Sequence, residues 1–400
     1  MESGSKNKRI LFLTGTRADF GKLKPLIVAV EESSDFHCTA FVTGMHTLYK
    51  YGYTVNEVKK CNIADIHIYH NQIHSEPMEL SLANTIAGLS RYVHENVPDM
   101  IVVHGDRVEA LAGAIVGAMR NILTAHIEGG EISGTVDELI RHSVTKLAHL
   151  HFVSNQEAAD RLRQLGEKAE TIHLIGSPEI DTMLSDELPD PDWVRDYYDI
   201  PFSQYAIALL HPVTTELDEL PRQAEIFAES LLQSKENYLV IYPNNDEGTE
   251  QIFFAYEQLK DNPRIQLVPS LRFEYFLSLL KQARFVIGNS SMGIRQAPIY
   301  AVRSVNIGSR QHNRFQYHSI QNVEWNIESI LKVIANIRTA LDRGEVVEPC
   351  LHFGKGNSLH QFMKIIRDDA IWGISRQKVF NTLVPMADSA PMDTKPDSRV

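Results

Sequence analysis

Val102-Val-His-Gly-Asp106-Arg107 and, further on, Ala125-His-Ile-Glu128-Gly-Gly-Glu131 decide how this chain folds. Each is an apolar run that stops abruptly at polar and Gly residues, with an Ala-rich helical stretch, Glu109 to Met119, between them. Strand, helix, strand in that order predicts two adjacent parallel strands. Asp106 and Glu128 then emerge at the same carboxyl edge of one sheet, where open α/β sheets bind ligands. Two carboxylates converging on one cleft suit the removal and delivery of a proton.

Working outward, Arg9 to Thr14 reads as a strand, followed by the turn Gly15-Thr-Arg17-Ala-Asp19-Phe-Gly21-Lys22 and a helix from about Leu23. Strand-like runs recur at His37–Val42, Met100–Val103, Leu123–Ile127, Leu150–Val153 and Thr171–Ile175. The Pro- and Asp-rich segment 189–201 reads as a crossing to a second domain. A new series follows it: Tyr205–Leu210, Tyr238–Tyr242, Ile265–Val268, Phe285–Ile287 and Ser304–Ile307, with helices such as Arg222–Ser234 and Phe273–Gln282 between. The alternation predicts an α/β protein of two doubly wound, Rossmann-like domains, 9–185 and 202–372, facing a cleft. The last helix, about Gln361 to Arg367, is expected to return to the first domain. Residues 1–8 and 388–400 are expected to be flexible tails.

The chain has 400 residues, 43% hydrophobic and 22% charged, the composition of a globular protein. The net charge of −12, with no long basic block, argues against nucleic acid as a partner. No apolar run is long enough to cross a membrane, and the polar N-terminus lacks the apolar core of a secretory signal. Three scattered cysteines form no disulfide framework or zinc knuckle, so a cytoplasmic protein is expected. His67, His70 and His74 lie close together, but no second cluster supports them, and no metal is expected.

Several motifs carry candidate chemistry. Gly15-x5-Gly21-Lys22-Leu23 has one residue too many for a P-loop and Leu where Ser or Thr is required, which excludes a nucleoside triphosphatase. Arg17 and Lys22 still offer an anion site beside a helix start, or a solvated basic turn. No Gly-x-Gly-x-x-Gly follows a strand, so no nicotinamide cofactor is expected. Asp106 could also cap the helix that follows it. Thr135-Val-Asp137-Glu138 matches a capping box, which puts Asp137 in a first helical turn; the glycines after Glu128 would let it fold back onto the cleft. His211 ends a strand, either as a phosphate donor and proton carrier or as a structural histidine. Gly288-Asn-Ser290-Ser291-Met-Gly293 follows a strand and opens a helix, as a phosphate cradle does, and Arg310 after the next strand could join it.

Taken in order, these residues resemble the hydrolysing UDP-N-acetylglucosamine 2-epimerases of sialic acid biosynthesis. The matching pieces are Gly15-Thr-Arg-Ala-Asp-Phe-Gly-Lys22, Thr43-Gly-Met-His46, His104-Gly-Asp-Arg-Val-Glu109, His126 to Asp137, Ile140-Arg-His142, His211-Pro-Val-Thr-Thr215, Tyr242-Pro-Asn-Asn245, Gly288-Asn-Ser-Ser291 and Ser309-Arg-Gln311. The resemblance implies a GT-B-like fold, a homo-oligomer (dimer or tetramer), no cofactor, and conversion of UDP-GlcNAc to N-acetylmannosamine and UDP through 2-acetamidoglucal. It implies Asp106, Glu128 and Asp137 as acid/base carboxylates. It implies Arg17, Asp19, Lys22, His46, His211, Asn245, Ser290, Ser291, Gln296 and Arg310 as substrate-holding residues. Two departures stand out: Gln296 where the family usually has Glu, and Tyr300-Ala-Val-Arg303 where it has a Gly-x-Pro pattern. Gln keeps one acceptor and adds donors but loses the charge. The rival readings are the same chemistry on another UDP-hexosamine such as a 2,4-diacetamido sugar, a two-domain glycosyltransferase, and a non-catalytic nucleotide-sugar sensor.

Overall fold

In the computed structural model, residues 7–133 and 136–381 are described. Seven parallel strands form the first sheet: β1 (Lys8–Thr14), β2 (Phe36–Val42), β3 (Asp65–Ile68), β4 (Met100–His104), β5 (Leu123–Ile127), β6 (Leu150–Val153) and β7 (Ile172–Leu174), in the order β3-β2-β1-β4-β5-β6-β7. Six more form the second: β8 (Ala206–Leu209), β9 (Tyr238–Ile241), β10 (Ile265–Val268), β11 (Phe285–Gly288), β12 (Arg303–Ile307) and β13 (Ile320–Val323), ordered β10-β9-β8-β11-β12-β13. Both orders reverse direction once, between β1 and β4 and between β8 and β11. A crevice opens at such a switch point, at the carboxyl ends of the strands.

The register fixes what meets there. β4 pairs β5 with His104 opposite Ile127, so Asp106 and Glu128 leave the sheet side by side. Glu128 itself adopts φ 62°, the left-handed region that non-glycine residues rarely occupy. Its N–H donates to the Phe152 carbonyl at 2.8 Å, tying the turn to β6. In the second sheet Gly288 ends β11 at φ 136°; a Cβ there would lie 2.0 Å from the Leu209 carbonyl oxygen. Only glycine lets β11 approach β8 this closely before the chain turns toward Ser290.

Each sheet has its own core. Ile10, Phe12, Val102, Ala125 and Phe152 are wholly buried in the first, and Ala208, Phe227, Tyr238 and Val305 in the second. The helix Ser358–Ile366 inserts Phe362 and Ile366 into the core of the first sheet, with Phe362 packed 5.0 Å from the Phe152 ring, so the chain returns as expected. Burying each such side chain contributes about 1.5–3 kcal/mol.

Two edge strands, β3 and β13, were not anticipated. Asp-Ile-His-Ile and Ile-Gln-Asn-Val are short and mix polar with apolar residues, because an edge strand is only partly covered. The first helix runs Arg17–Glu31, six residues earlier than expected. Its start is a capping box: Thr16 accepts from the Asp19 N–H at 3.2 Å while Asp19 accepts from the Thr16 N–H at 3.1 Å. The Thr135 capping box lies outside the described residues, as do residues 1–6 and the whole of the expected tail 388–400; Lys8, expected in the N-terminal tail, instead opens β1. Glu138 accepts from the Ser133 N–H at 2.8 Å. Among the described residues no helix is long and apolar enough to cross a membrane.

Candidate active site

A cleft of about 300 Å³ lies between the carboxyl edges of the two sheets. The first sheet contributes Arg17, Asp19, Lys22, Asp106, Glu128 and Asp137 to its walls; the second contributes His211, Ser290, Ser291, Gln296 and Arg310. These residues are far apart in sequence and are brought together by the two switch points.

The three carboxylates sit in different electrostatic settings. Asp106 does not cap the helix Val108–Met119; the cap position is Arg107, with no side-chain bond, and Asp106 pairs with Arg141. Burial alone would raise the Asp106 pKa, but the charges of Arg141, Arg314, His104 and Lys22 outweigh it and hold the group at about 2. Glu128 is 4% exposed. Arg295 approaches it at 2.8 Å, Lys22 and His104 at 3.2 Å each, and the Ser177 hydroxyl donates to it. Burial opposes its ionisation, yet Arg295, then Lys22 and His104, keep it well below the usual carboxylate range. Asp137 goes the other way. Burial, then the negative charge of Asp106, raises its pKa, although Arg310 lies at 3.2 Å. One carboxylate is held ionised and its neighbour is biased toward the acid form, the pairing from which acid/base roles can be read.

Around them is a set of anion-binding groups. His211 accepts at Nδ1 from the Asn244 N–H at 3.4 Å, which leaves Nε2 as the protonated nitrogen. Burial, then Arg310 and Arg107, push His211 well below its ordinary pKa, so the ring is neutral. Asn289 clamps the His211 backbone, donating to its carbonyl at 2.8 Å and accepting from its N–H at 2.7 Å. Ser290 and Ser291 face the cleft, but the helix they open, Met292–Arg295, is a single turn. An anion there would be held by hydroxyls, backbone N–H groups and Arg310 rather than by a long helix dipole. Arg17 donates to Ser270 across the cleft at 2.5 Å.

Other expected residues serve the framework. His46 does not reach the cleft. It is 0% exposed and lies between Thr14 Oγ1 at 3.0 Å and Thr54 Oγ1 at 2.6 Å, with burial lowering its pKa to about 4. Asp19 borders the cleft, but its carboxylate accepts from Gly15 and Thr16 N–H groups and from Thr14. Asn245 is turned into the contact between the two halves, accepting from Tyr51 at 2.8 Å and from the Ser75 N–H at 3.1 Å; its neighbour Asn244 lines the cleft. Lys22 bridges Glu128 and Glu179, at 3.2 and 3.4 Å. Gln296 donates to Glu179 at 2.5 Å, so the amide that replaces the family's carboxylate has a buried acid as its partner. His67 packs against Phe41 and Tyr92, and among the described residues no group of three His, Cys, Asp or Glu could hold a metal ion.

Sequence reading missed Glu131, Arg141, Glu179, Arg295 and Arg314. Arg295 bonds Glu131 and Glu179 as well as Glu128, and so ties the second sheet to the first beneath the cleft. Ser154 donates to Glu131 at 2.7 Å. Arg141 had a usable signal: it lies four residues after Asp137, on the same helix face.

Two parallel sheets facing across such a cleft define the GT-B-like class of α/β proteins. Residues 28–367 match the family model described as UDP-N-acetylglucosamine 2-epimerase, and the chain belongs to that family of enzymes. It is 46% identical, over 93% of its length and 98% of the relative's, to a UDP-N-acetylglucosamine 2-epimerase from Neisseria meningitidis serogroup B. It is 32% identical, over 90% of its length and 96% of the relative's, to a UDP-N,N'-diacetylbacillosamine 2-epimerase (hydrolyzing) from Legionella pneumophila. The crystal structure of a UDP-GlcNAc 2-epimerase from Neisseria meningitidis, bound to UDP-GlcNAc, superposes with a TM-score of 0.75 at 14% identity, covering 90% of this chain and 99% of that one. Family membership sets the glycosyltransferase reading aside.

Proposed function

We propose that the protein hydrolyses UDP-N-acetylglucosamine to UDP and N-acetylmannosamine, inverting carbon 2 on the way. The observation that carries this reading is the opposed pair, Asp106 held ionised and Asp137 biased toward its acid form, in one cleft with Arg310, His211 and two serines. The Neisseria relative's name supports the sugar. The chain's motifs and the Legionella relative's name support the hydrolysing outcome.

A hydrogen on carbon 2 of a hexosamine is not acidic by itself. Breaking the bond from carbon 1 to the diphosphate oxygen sends its electron pair to UDP and leaves positive character at carbon 1. Asp106 takes the carbon 2 proton, and the freed pair becomes the carbon 1–carbon 2 double bond of 2-acetamidoglucal. Arg310, Nε2–H of His211 and the Ser290–Ser291 turn stabilise the departing diphosphate, a role best served by fixed donors. Asp137 then delivers its proton to the opposite face of carbon 2 while water adds at carbon 1. The water's proton restores Asp137, and Asp106 releases its proton to solvent. Glu128, ionised among Arg295, Lys22 and Ser177, does not exchange protons in this scheme; it orients Lys22 and His104. Residues 9–185 supply the acid/base groups and 202–372 hold the nucleotide.

Incubation with UDP-GlcNAc alone, read by nuclear magnetic resonance, tests the reading. UDP plus free N-acetylmannosamine is expected. Accumulation of UDP-N-acetylmannosamine without UDP would replace it with a non-hydrolysing epimerase, and turnover of only a 2,4-diacetamido hexose would change the sugar.

A further inference from the structure

Arg310 stands between two negative partners. Its Nη1 donates to the Asn289 carbonyl at 3.3 Å, immediately before Ser290 and Ser291, while its Nη2 lies 3.2 Å from the Asp137 carboxylate on the opposite wall. The Asn289 carbonyl also accepts from Gln311 at 2.8 Å, so the guanidinium is anchored at the mouth of the serine turn. We propose that Arg310 is handed from Asp137 to the diphosphate when the nucleotide binds, so that occupancy of the diphosphate site itself shifts Asp137 further toward its acid form. The proposal rests on the reading of this cleft as a UDP-sugar site.

The charges facing Asp137 make the hand-off effective. Asp106 from the β4 loop and Asp246 from the β9 loop disfavour its ionisation; Arg310 from the β12 loop and Arg141 from its own helix favour it, with Arg107 also nearby. Arg141 is committed to Asp106 and to the Glu131 carbonyl, so it is not available to replace Arg310. A diphosphate carries more negative charge than one carboxylate and draws the guanidinium toward the serines. Asp137 then keeps its two acidic neighbours and loses one of its cations, so its proton affinity rises. The acid form, already favoured in the free cleft, is favoured further while UDP or its sugar is bound, and it stays so after the carbon 1 bond breaks because UDP is still in place. Protein and ligand are linked reciprocally: whatever weakens the Arg310–Asp137 pair strengthens nucleotide binding.

The experiment is calorimetric titration with UDP itself, from pH 5 to 8, in buffers of differing ionisation enthalpy. Wild-type protein is expected to take up protons on binding UDP, beyond those taken up by Asp137→Asn, in which the UDP phosphate still titrates. Asp137→Asn should bind UDP about fivefold to tenfold more tightly, because Arg310 is no longer shared. Arg310→Gln should bind UDP more weakly and lose the same extra proton uptake, although Asp137 is intact. Equal proton uptake in wild type and Asp137→Asn, or unchanged affinity in Asp137→Asn, would overturn the hand-off while leaving the nucleotide site standing. Failure of the wild type to bind UDP at all would overturn the nucleotide reading itself.

Discussion

Replacing Arg295 by Met puts the buried ion cluster to a quantitative test. Arg295 is 3% exposed and touches Glu128 at 2.8 Å, Glu179 at 3.1 Å and Glu131, with Ser177 accepting from it at 3.2 Å. At an effective dielectric of about 20, attractions at those distances are worth about 5–6 kcal/mol each before desolvation is subtracted. Dehydrating each ion costs several kcal/mol, so the net contribution is much smaller, but deleting one partner leaves the others buried and uncompensated. The expected loss at pH 7 is about 3–5 kcal/mol. The pH dependence has a definite sign. In the wild type Glu128 and Glu131 are held below their ordinary pKa, so their stabilisation is present above about pH 4.5 and is lost as pH falls through the folded values. Without Arg295 the burial that opposes their ionisation dominates. Their folded pKa values then exceed the unfolded ones, and the variant gains stability as pH falls. Urea unfolding at pH 7.5 and pH 5 should therefore show a large difference between the two proteins that narrows at the lower pH. A difference below about 1 kcal/mol at pH 7.5, or one that widens on acidification, would refute this account of the cluster.

Other expectations follow from the same geometry. Gln296→Glu sets a second carboxylate against Glu179, now 2.5 Å from the amide, and should destabilise the protein by about 1–3 kcal/mol at pH 7; the double variant with Glu179→Gln should recover most of it in a denaturation cycle. Asp106→Asn should lower kcat at least about 100-fold with the fold intact by circular dichroism, and near-wild-type turnover would return Asp106 to a structural role. Because Asp137 must be protonated and its pKa is raised, kcat should fall as pH rises through that value; Asp106, at about 2, should add no limb above pH 4. Gly288→Ala, with its Cβ 2.0 Å from the Leu209 carbonyl, should cost more than about 3 kcal/mol in thermal unfolding.

Sequence was informative where one local pattern forced one geometry. The apolar runs ending at Asp106 and Glu128 had to be neighbouring parallel strands, and the His104–Ile127 register bears this out. The edge strands β3 and β13 were hidden because half-covered strands mix polar and apolar residues. The early start of the first helix was hidden because its capping box uses Asp19 where Glu or Gln is the usual signature. Sequence could not separate His46 from His211. Both follow strands, but one side chain is enclosed by threonines and the other is clamped at the cleft by Asn289, which is distant in sequence. The same limit hid Arg295. Its partners, Glu128, Glu131 and Glu179, belong to the other half of the chain, and only the packing of the two sheets brings them together. The different ionisation of Asp106 and Asp137 likewise depends on arginines from several loops, so residue type alone left their roles open.

The proton chemistry at carbon 2 is tested most directly by turnover of UDP-GlcNAc in deuterium oxide. If Asp106 takes the original hydrogen and solvent-equilibrated Asp137 returns another to the opposite face, the N-acetylmannosamine formed carries one deuterium at carbon 2 in every molecule. N-acetylmannosamine that retains its original hydrogen there would contradict the scheme.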